Sequence, residues 1–286
     1  MASLGSSSYS ASRARSIIVT GASSGIGAFC ARALKADGWH VFATARKPAD
    51  LAALEAEGIE ALFLDYRDAK SIEALVASVL DRTGGGLDAL YNNGAYVQAG
   101  AVEDLPVQAL REQFEANVFG WHELTRRVIP VMRAQGHGRI VSCSSILGLM
   151  PARYRGAYCA SKYALEGLML SLRQELLGSG IHVSLIEPGP VRSTIHDTGM
   201  DWFLKQVDYL NSVHRAAYEH QMRQARSGAG QGRRASPRKV YVALRHALLS
   251  PRPRAHYVVT APARMGALLK RLLPSDLFYR LIARNV

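Results

Sequence analysis

Residues 16–27 read SIIVTGASSGIG, an apolar run followed at once by three closely spaced glycines. The run predicts a short buried strand, and the apolar spacing from about Ile26 to Ala36 predicts an amphipathic helix after it. Glycines at a strand-to-helix junction let the backbone turn tightly and let a phosphate approach the free N–H groups at the helix start. The stretch therefore predicts a turn that binds the pyrophosphate of a dinucleotide.

Other interpretations compete for the same residues. The spacing from Gly21 to Gly25 also fits GxSxG, the nucleophile elbow of a hydrolase, but that elbow needs earlier strands and only twenty residues precede Gly21. A P-loop needs lysine after its last glycine, where this chain has Ala28. A purely structural turn is the remaining alternative, and three glycines at one junction make it the less favoured one.

The pattern of a short apolar run followed by a helical segment repeats along the chain. Further strands are predicted at residues 39–44, 59–64, 87–91, 139–142, 181–186 and 256–260. Short, mostly apolar strands are expected in a parallel sheet that is buried on both faces. The longest helical pattern runs from about residue 106 to 134, with Pro106 at its first position and a bend or break near Pro130. The order predicts an α/β fold, a doubly wound (Rossmann) parallel sheet of seven strands with helices on both faces.

Charge and cysteine content narrow the classes of function. The net charge is +12, and all of it comes from residues 189–286, which hold 17 basic and 5 acidic side chains. No nucleic-acid-binding motif accompanies this excess, so we predict a solvated basic face and no nucleic-acid partner. The three cysteines, Cys30, Cys143 and Cys159, have neither disulfide nor metal-ligand spacing, so we expect them to fill the core of a cytoplasmic protein and predict no metal.

A second motif carries the chemistry. Tyr158 and Lys162 stand four residues apart in a helical segment, so the phenol and the ammonium lie on one face. A nearby cation favours the phenolate and lowers the pKa of tyrosine, which lets it exchange a proton with a carbonyl or alcohol oxygen. Ser145 lies thirteen residues upstream, after the fifth strand, where open α/β sheets bind ligands. The pair alone is weak evidence for a catalytic site, because a tyrosine and a lysine at this spacing (YxxxK) also occur by chance on helix surfaces.

Taken together, these motifs resemble the short-chain dehydrogenase/reductase family. The resemblance rests on TGASSGIG at 20–27, NNGA at 92–95, Asn117, Ser145, YCASKYALEGL at 158–168 and PGPV at 188–191, in the family's order over about residues 15–260. The segment 158–168 is most similar to the hydroxysteroid and retinol dehydrogenase branch and to related bacterial reductases. The chain departs from the family at this motif, which reads NNGA rather than NNAG. The conformational freedom of glycine therefore lies one residue earlier in the loop.

The resemblance implies a role for each matched residue. Tyr158 would be the general acid/base, Lys162 would lower its pKa and hold the nicotinamide ribose, and Ser145 would orient the substrate oxygen. Asn117 would anchor a water of the proton relay through a distortion of its helix. The residues implied to bind the cofactor are Gly21, Ser23, Ser24, Gly25, Ile26, Gly27, Asp65, Asn92, Gly94, Lys162, Pro188, Val191 and Thr194, with Thr194 favoured over Ser193 on spacing.

The end of the second strand indicates which nicotinamide cofactor is bound. NAD enzymes place a carboxylate there to accept hydrogen bonds from the ribose, whereas this chain reads Ala45-Arg46-Lys47. A guanidinium is the natural partner of a phosphate, so Arg46 predicts pairing with the 2′-phosphate and NADP(H) rather than NAD(H) as the cofactor. The alternative is that Arg46 and Lys47 are merely solvated.

The chain length suits one large domain, and the resemblance places its parts. We predict a disordered tail over 1–14, with a transit-type peptide as the alternative, and a single catalytic domain over 15–286. Residues 190–235 occupy the family's substrate lid and end in a mobile glycine-rich link at 227–232. A helical extension covers 262–286, is broken at Pro274, and is basic and apolar. It could lie on an anionic membrane, but covering the core or a neighbouring subunit is favoured.

These features predict an NADP(H)-dependent oxidoreductase that interconverts an alcohol and a ketone or aldehyde, as a cytoplasmic homodimer or homotetramer. Apolar residues in the lid indicate a steroid, retinoid, fatty-acyl or aryl substrate; the alternative is that they only pack the lid. They are Met200, Trp202, Phe203, Leu204, Val207, Tyr209 and Leu210. A protein that binds NADP(H) and has lost turnover is the rival hypothesis.

Overall fold

The computed structural model describes residues 14–227 and 234–283, so the predicted disordered tail and most of the predicted mobile link lie outside the described residues. Seven strands form one sheet in the order β3-β2-β1-β4-β5-β6-β7, and every neighbouring pair is parallel. This confirms the predicted doubly wound α/β fold. The strands are β1 Ser16–Val19, β2 His40–Ala45, β3 Glu60–Phe63, β4 Ala89–Asn92, β5 Gly138–Cys143, β6 Ile181–Pro188 and β7 His256–Val259.

The strands lie within two residues of their predicted ends, because most of them are apolar runs buried in the core, whereas the edge strand β3 is only partly buried. In the centre of the sheet Ile18 stands beside Phe42 of β2 and Leu90 of β4, and all three side chains are fully buried. β6 is longer than predicted. Its last two residues, Glu187 and Pro188, pair with β7, which an apolar pattern could not indicate.

Helices cover the sheet on both faces. α1 packs against α9 on one face, and α3 packs against α5 on the other. The helices are α1 Gly25–Ala36, α2 Pro48–Ala56, α3 Ala69–Thr83, α4 Val107–Phe114, α5 Gly120–Ala134, α6 Gly156–Glu175, α7 Ile195–Gln206, α8 Arg215–Arg226, α9 Arg238–Leu249, α10 Ala261–Leu272 and α11 Ser275–Ala283. None of the described helices combines the length and apolar character that a bilayer span requires.

The long helix predicted over 106–134 is interrupted at a different place than expected. Pro106 is the capping residue before α4 rather than its first helical residue, and the break is a π-helical segment, Glu115–Phe119, between α4 and α5. Pro130 lies inside α5, which continues to Ala134, so the expected break there was wrong. Pro130 is exposed, so the backbone carbonyl that its missing N–H leaves free can bond to water.

The C-terminal extension is two amphipathic helices separated at Pro274, as the sequence predicts. Ala263 and Phe278 are buried, whereas Leu272 at 69% and Leu277 at 53% are largely exposed. The extension therefore covers the body of the protein through only one side of each helix. The three cysteines are free and buried, which confirms their predicted place in the interior.

Two helical glycines test how tightly the long helices are packed. A Cβ on Gly120 would lie 2.4 Å from Tyr66 Cβ and 2.4 Å from the Tyr66 backbone oxygen, whereas a Cβ on Gly167 of α6 would meet nothing within 4 Å. Gly→Ala in an open helix position stabilises by about 1 kcal/mol. We therefore expect Gly167→Ala to raise the free energy of unfolding by up to about 1 kcal/mol, and Gly120→Ala to lower it by about 1–3 kcal/mol through overpacking. Urea denaturation of both variants checks this, and a Gly120→Ala protein as stable as wild type would contradict the packing described.

Candidate active site

The glycine-rich loop joins β1 to α1 and has a conformation that only glycine adopts easily. Gly21 has φ +62° and Gly25 has φ +57°, both in the left-handed region. A Cβ on Gly27 would lie 2.2 Å from the backbone oxygen of Gly21, so this position excludes a side chain as well. Ser24 caps α1 without a side-chain hydrogen bond to the helix, and the first turn holds no acidic residue. The free N–H groups of α1 therefore fit the pyrophosphate of a dinucleotide.

The loop after β4 closes against the glycine-rich loop. A Cβ on Gly21 would lie 2.4 Å from the Cα of Gly94, so two backbones touch where side chains would clash. Gly94 is not in the left-handed region, which explains the exchange in NNGA: the position needs the small size of glycine rather than its conformational freedom. Trp121 Nε1 donates to the Gly94 oxygen at 2.8 Å and fixes this loop to α5.

The second asparagine of this motif, which sequence reasoning did not select, contacts the glycine-rich loop directly. Asn93 Nδ2 donates to the backbone oxygens of Thr20 at 3.1 Å and of Gly21 at 3.3 Å. Asn92 is fully buried; its Nδ2 donates to Thr125 Oγ1 at 3.0 Å, and its Oδ1 accepts from the Tyr66 hydroxyl at 3.4 Å. The predicted contact of Asn92 with adenosine would therefore have to come from its backbone.

Three basic residues and one acid lie at the carboxyl ends of β2 and β3. Arg46 and Lys47 are exposed directly after β2, where no carboxylate stands. Asp65 follows β3, and its carboxylate accepts from the Arg67 guanidinium at 2.8 and 3.2 Å. The pKa of Asp65 is lowered mainly by that hydrogen bond, with a smaller contribution from the charge of Arg46. This edge of the sheet therefore favours an anion.

The segment after β6 lies across the glycine-rich loop. The hydroxyls of Thr194 and Ser24 are hydrogen-bonded at 2.7 Å, and a Cβ on Gly25 would lie 3.0 Å from Ser193 Cβ. Pro188 ends β6, and Val191 is buried and bridged to Ala235. The hydroxyl of Thr194 therefore makes the bond to the glycine-rich loop. Its contact with the cofactor, in preference to Ser193, stays a prediction.

Tyr158 and Lys162 lie one turn apart in the buried first half of α6. Lys162 is 1% exposed, and its Nζ donates to the Cys143 oxygen at the end of β5 at 2.8 Å. The same Nζ lies 4.4 Å from the centre of the Trp121 ring and 5.7 Å from that of the Tyr158 ring. Burial lowers the pKa of Lys162 to about 8, because an ammonium removed from water is less stable. The structure thus brings the predicted cation beside the predicted phenol.

The expected lowering of the Tyr158 pKa is wrong for the protein by itself. Burial of the phenol raises its pKa well above the ordinary value, and the hydrogen bond with Ser145 opposes this only in part. The Nζ of Lys162 is hydrogen-bonded to the Cys143 oxygen rather than to the phenol. The phenol of Tyr158 is therefore protonated at neutral pH.

Ser145 begins the turn after β5 and faces this phenol. It is 8% exposed, and its Oγ also accepts from the backbone N–H of Leu147 at 3.1 Å. Ser144 points the other way, toward the carboxylate of Glu166. Of the serines in this run, Ser145 therefore has the hydroxyl that shares a site with Tyr158.

Asn117 occupies the π-helical segment, which confirms the helix distortion that the resemblance implies. Its Oδ1 accepts from the Tyr96 N–H at 3.2 Å, and its Nδ2 donates to the Tyr96 oxygen at 3.0 Å. Gln113 acts beside it, with Nε2 donating to the same oxygen and Oε1 accepting from the Gln98 N–H at 2.6 Å. These two buried amides, of which sequence reasoning found only one, fix the chain after β4. The anchoring of a water by Asn117 stays a prediction.

The lid helices α7 and α8 share an apolar cluster with the chain at residues 99–105. Phe203 and Val207 are buried with Tyr218 of α8, so the structure supports the packing alternative for these two lid residues. Trp202 behaves differently: its ring centre lies 4.9 Å from that of Tyr96, beside the segment held by Asn117. Leu204 and Leu210 are about half exposed. Trp202 is thus an apolar lid residue whose ring contacts the segment that Asn117 holds.

One cluster beneath the site was not found from the sequence. Glu166 of α6, Glu187 of β6 and His256 of β7 bring their ligand atoms within 4.8 Å of one another. His256 Nδ1 lies 2.6 Å from Glu187 Oε1 and 3.7 Å from Glu166 Oε2, so the imidazole stands between two carboxylates. Burial, followed by the charge of Glu187, raises the pKa of Glu166 to about 7. Sequence reasoning missed the cluster because its members come from three distant elements.

This cluster makes stability depend on pH. An acid whose pKa is raised from 4.5 to about 7 keeps its proton in the folded state while the unfolded state has lost it. Stability is then complete below about pH 4.5 and falls as the pH rises toward 7, by at most ~1.4 kcal/mol per pH unit for one proton. The raised pKa of His256, hydrogen-bonded to Glu187, acts in the same direction.

We expect Glu166→Gln to flatten this dependence, measured as the free energy of unfolding in urea from pH 5 to 8. Glu175→Gln, at the exposed end of the same helix, is the matched control and should follow wild type. Identical pH profiles for wild type and Glu166→Gln would show that Glu166 does not titrate in this range.

Comparison with known proteins agrees with the site geometry. The family model described as short chain dehydrogenase matches residues 15–202, and the chain belongs to this family of oxidoreductases. The chain is 37% identical over 268 residues to the uncharacterized oxidoreductase YbbO of Escherichia coli strain K12, covering 94% of each chain. It is 33% identical over 260 residues to human 17-beta-hydroxysteroid dehydrogenase type 1, covering 85% of this chain and 77% of the relative.

A solved structure shows the same fold. A short-chain dehydrogenase from Streptomyces avermitilis superposes with a TM-score of 0.74 and is 33% identical, covering 91% of this chain and 93% of its own. The whole sheet and the helices on its faces are therefore those of a short-chain dehydrogenase.

Proposed function

We propose that this protein is an NADP(H)-dependent oxidoreductase that interconverts an alcohol and a ketone or aldehyde at Tyr158. The observation that carries the proposal is the convergence of three groups: the phenol of Tyr158, the buried ammonium of Lys162 and the hydroxyl of Ser145, all at the carboxyl edge of the sheet. A nicotinamide bound there supplies or accepts the hydride. The glycine-rich loop, with Gly21, Gly25 and Gly27, fits its pyrophosphate.

The side chains of the protein handle the proton. In reduction, the protonated phenol of Tyr158 donates to the carbonyl oxygen, and in oxidation the phenolate accepts from the alcohol. Ser145 orients that oxygen by a hydrogen bond and steadies the charge that develops on it. Lys162 is close enough to the ring to favour the phenolate once the proton has left, since opposite charges attract strongly in a buried site. In this proposal Asn117 completes the proton route from the π-helical segment.

The end of β2 supports NADP(H) over NAD(H). Arg46 is exposed and makes no hydrogen bond to a carboxylate within the part of the chain that the structure describes, while the nearby acid Asp65 is already bound by Arg67. A 2′-phosphate would therefore meet free positive charge, whereas the ribose hydroxyls of NAD would find no acceptor on β2. Arg46 is thus the residue proposed to select the phosphorylated cofactor.

Two further features support the finer parts of the proposal. The ring contact of Trp202 with Tyr96 gives the site an apolar wall, which suits a steroid, retinoid, fatty-acyl or aryl substrate. A groove between α5 and α6, lined by Ile129, Leu168 and Leu172 among others, suits the assembly of a homodimer or homotetramer.

The catalytic assignment predicts a loss of turnover without a loss of binding. We expect Tyr158→Phe to lower kcat about 10²–10⁴-fold, since it removes the proton donor, and to leave the Kd for NADPH unchanged. The assay is a panel of apolar carbonyl compounds followed at the NADPH absorbance, with binding measured by fluorescence. Tyr163→Phe, on the same helix and 38% exposed, is the matched control and should retain activity.

Two outcomes would overturn the catalytic proposal. A Tyr158→Phe protein with wild-type kcat would remove Tyr158 from the chemistry. A wild-type protein that binds NADPH and reduces no member of the panel would favour the rival hypothesis of a silent cofactor-binding protein.

The cofactor assignment predicts a change of preference at one residue. We expect Arg46→Asp to weaken NADPH binding about 100-fold, because a charge-assisted hydrogen bond is replaced by repulsion, and to affect NADH much less. Arg133→Asp makes the same change of charge at an exposed position near the end of α5 and should leave both Kd values unchanged. An Arg46→Asp protein that still prefers NADPH would exclude Arg46 as the selecting residue.

A further inference from the structure

Within the described residues, the C-terminal helices α10 and α11 present exposed apolar side chains. Met265, Leu268 and Leu272 of α10 are 57%, 50% and 69% exposed, and Leu277 and Leu281 of α11 are 53% and 40% exposed. The first three stand at positions i, i+3 and i+7, and the other two at i and i+4, so each set forms one stripe along its helix. We call these five residues the C-terminal apolar stripe.

Positive charge borders this stripe. At 3.6 residues per turn, Arg264 and Arg271 fall on the same exposed side of α10, immediately beside Leu268. Arg280 is exposed three residues after Leu277, so these two side chains are neighbours on the surface of α11. Asp276 is the only acidic residue from 261 to 283. An apolar stripe flanked by cations is the pattern of a helix that lies in the plane of an anionic bilayer surface.

We propose that the C-terminal apolar stripe docks this protein on the surface of an anionic membrane. The pattern of charge favours this occupant over a second copy of the chain. A copy related by a two-fold axis would bring the arginines of α10 toward the same arginines, and like charges at an interface oppose association. Anionic lipid headgroups instead pair with Arg271 and Arg280, each adding about a fivefold increase in binding.

The position of α10 links this surface to the candidate site. Lys270 Nζ donates to the Leu149 backbone oxygen, and a Cβ on Gly266 would lie 2.5 Å from Met150 Cε. Leu149 and Met150 directly follow the turn that begins at Ser145. Helix α10 therefore packs on the segment that directly follows the turn at Ser145. Docking does not depend on the proposed enzyme activity.

The test is flotation of the full-length protein with phosphatidylcholine vesicles, with and without about 30% phosphatidylserine. Wild type should float with the anionic vesicles, and less so at high salt, because screening weakens surface charge. Arg271→Glu with Arg280→Glu should lower partition onto anionic vesicles about 25-fold or more, and Leu268→Asp with Leu272→Asp should also abolish it.

Matched controls separate docking from loss of fold and from assembly. Leu177→Asp, at a residue 78% exposed beyond α6, and Arg133→Glu should float as wild type does. All variants should keep the circular dichroism spectrum and the oligomeric mass of wild type. NADPH binding is measured separately, so that failure of the proposed enzyme function is distinguished from failure of membrane docking. Wild type that stays with the soluble fraction, variants that float unchanged, or a Leu268→Asp/Leu272→Asp protein that loses its oligomeric state would each overturn membrane docking.

Discussion

The contact between the backbones of Gly21 and Gly94 determines how the rest of the site is built. The strand order turns back between β1 and β4, so the loops that follow these two strands face each other across a crevice. A Cβ on Gly21 would stand 2.4 Å from Gly94 Cα, and Asn93 ties the two loops by hydrogen bonds to Thr20 and Gly21. Because Gly21, Gly25 and Gly27 carry no side chains, the start of α1 is left open to an anion.

The sequence was enough for most of the fold, because buried parallel strands are short apolar runs and their ends carry glycine or polar residues. The distortion at Asn117 was reached only through the resemblance, since nothing in the pattern of 106–134 separates a π-helical turn from an α-helical one. The predicted break at Pro130 was wrong for a related reason. A proline disturbs a helix least where the carbonyl that it leaves without an N–H donor faces water, and that exposure is set by tertiary packing rather than by local sequence.

The site itself was predictable in its residues and less so in its electrostatics. Spacing placed Lys162 beside Tyr158, but it could not show that Nζ would be directed to the Cys143 oxygen, nor that burial would raise the phenol pKa. Asn92 was predicted from its position in the motif, but its side-chain amide is hydrogen-bonded to Tyr66 and Thr125. Asn93 makes the contacts with the glycine-rich loop. Which hydrogen bonds form depends on which neighbours come within bonding distance, and the packing of distant segments determines those neighbours.

Helix α6 carries charge of both signs into the interior at intervals of one turn. Lys162 lies below the phenol and Glu166 one turn further, beside Glu187 and His256. The attraction between Lys162 and Glu166 favours the charged form of each, while burial favours the neutral form of each. Once Glu166 loses its proton, its carboxylate stabilises the ammonium of Lys162, and His256 at the surface balances that carboxylate. The charge state of the candidate site therefore depends on Glu187 of β6 and His256 of β7, which lie outside the crevice, as well as on the residues that face the substrate.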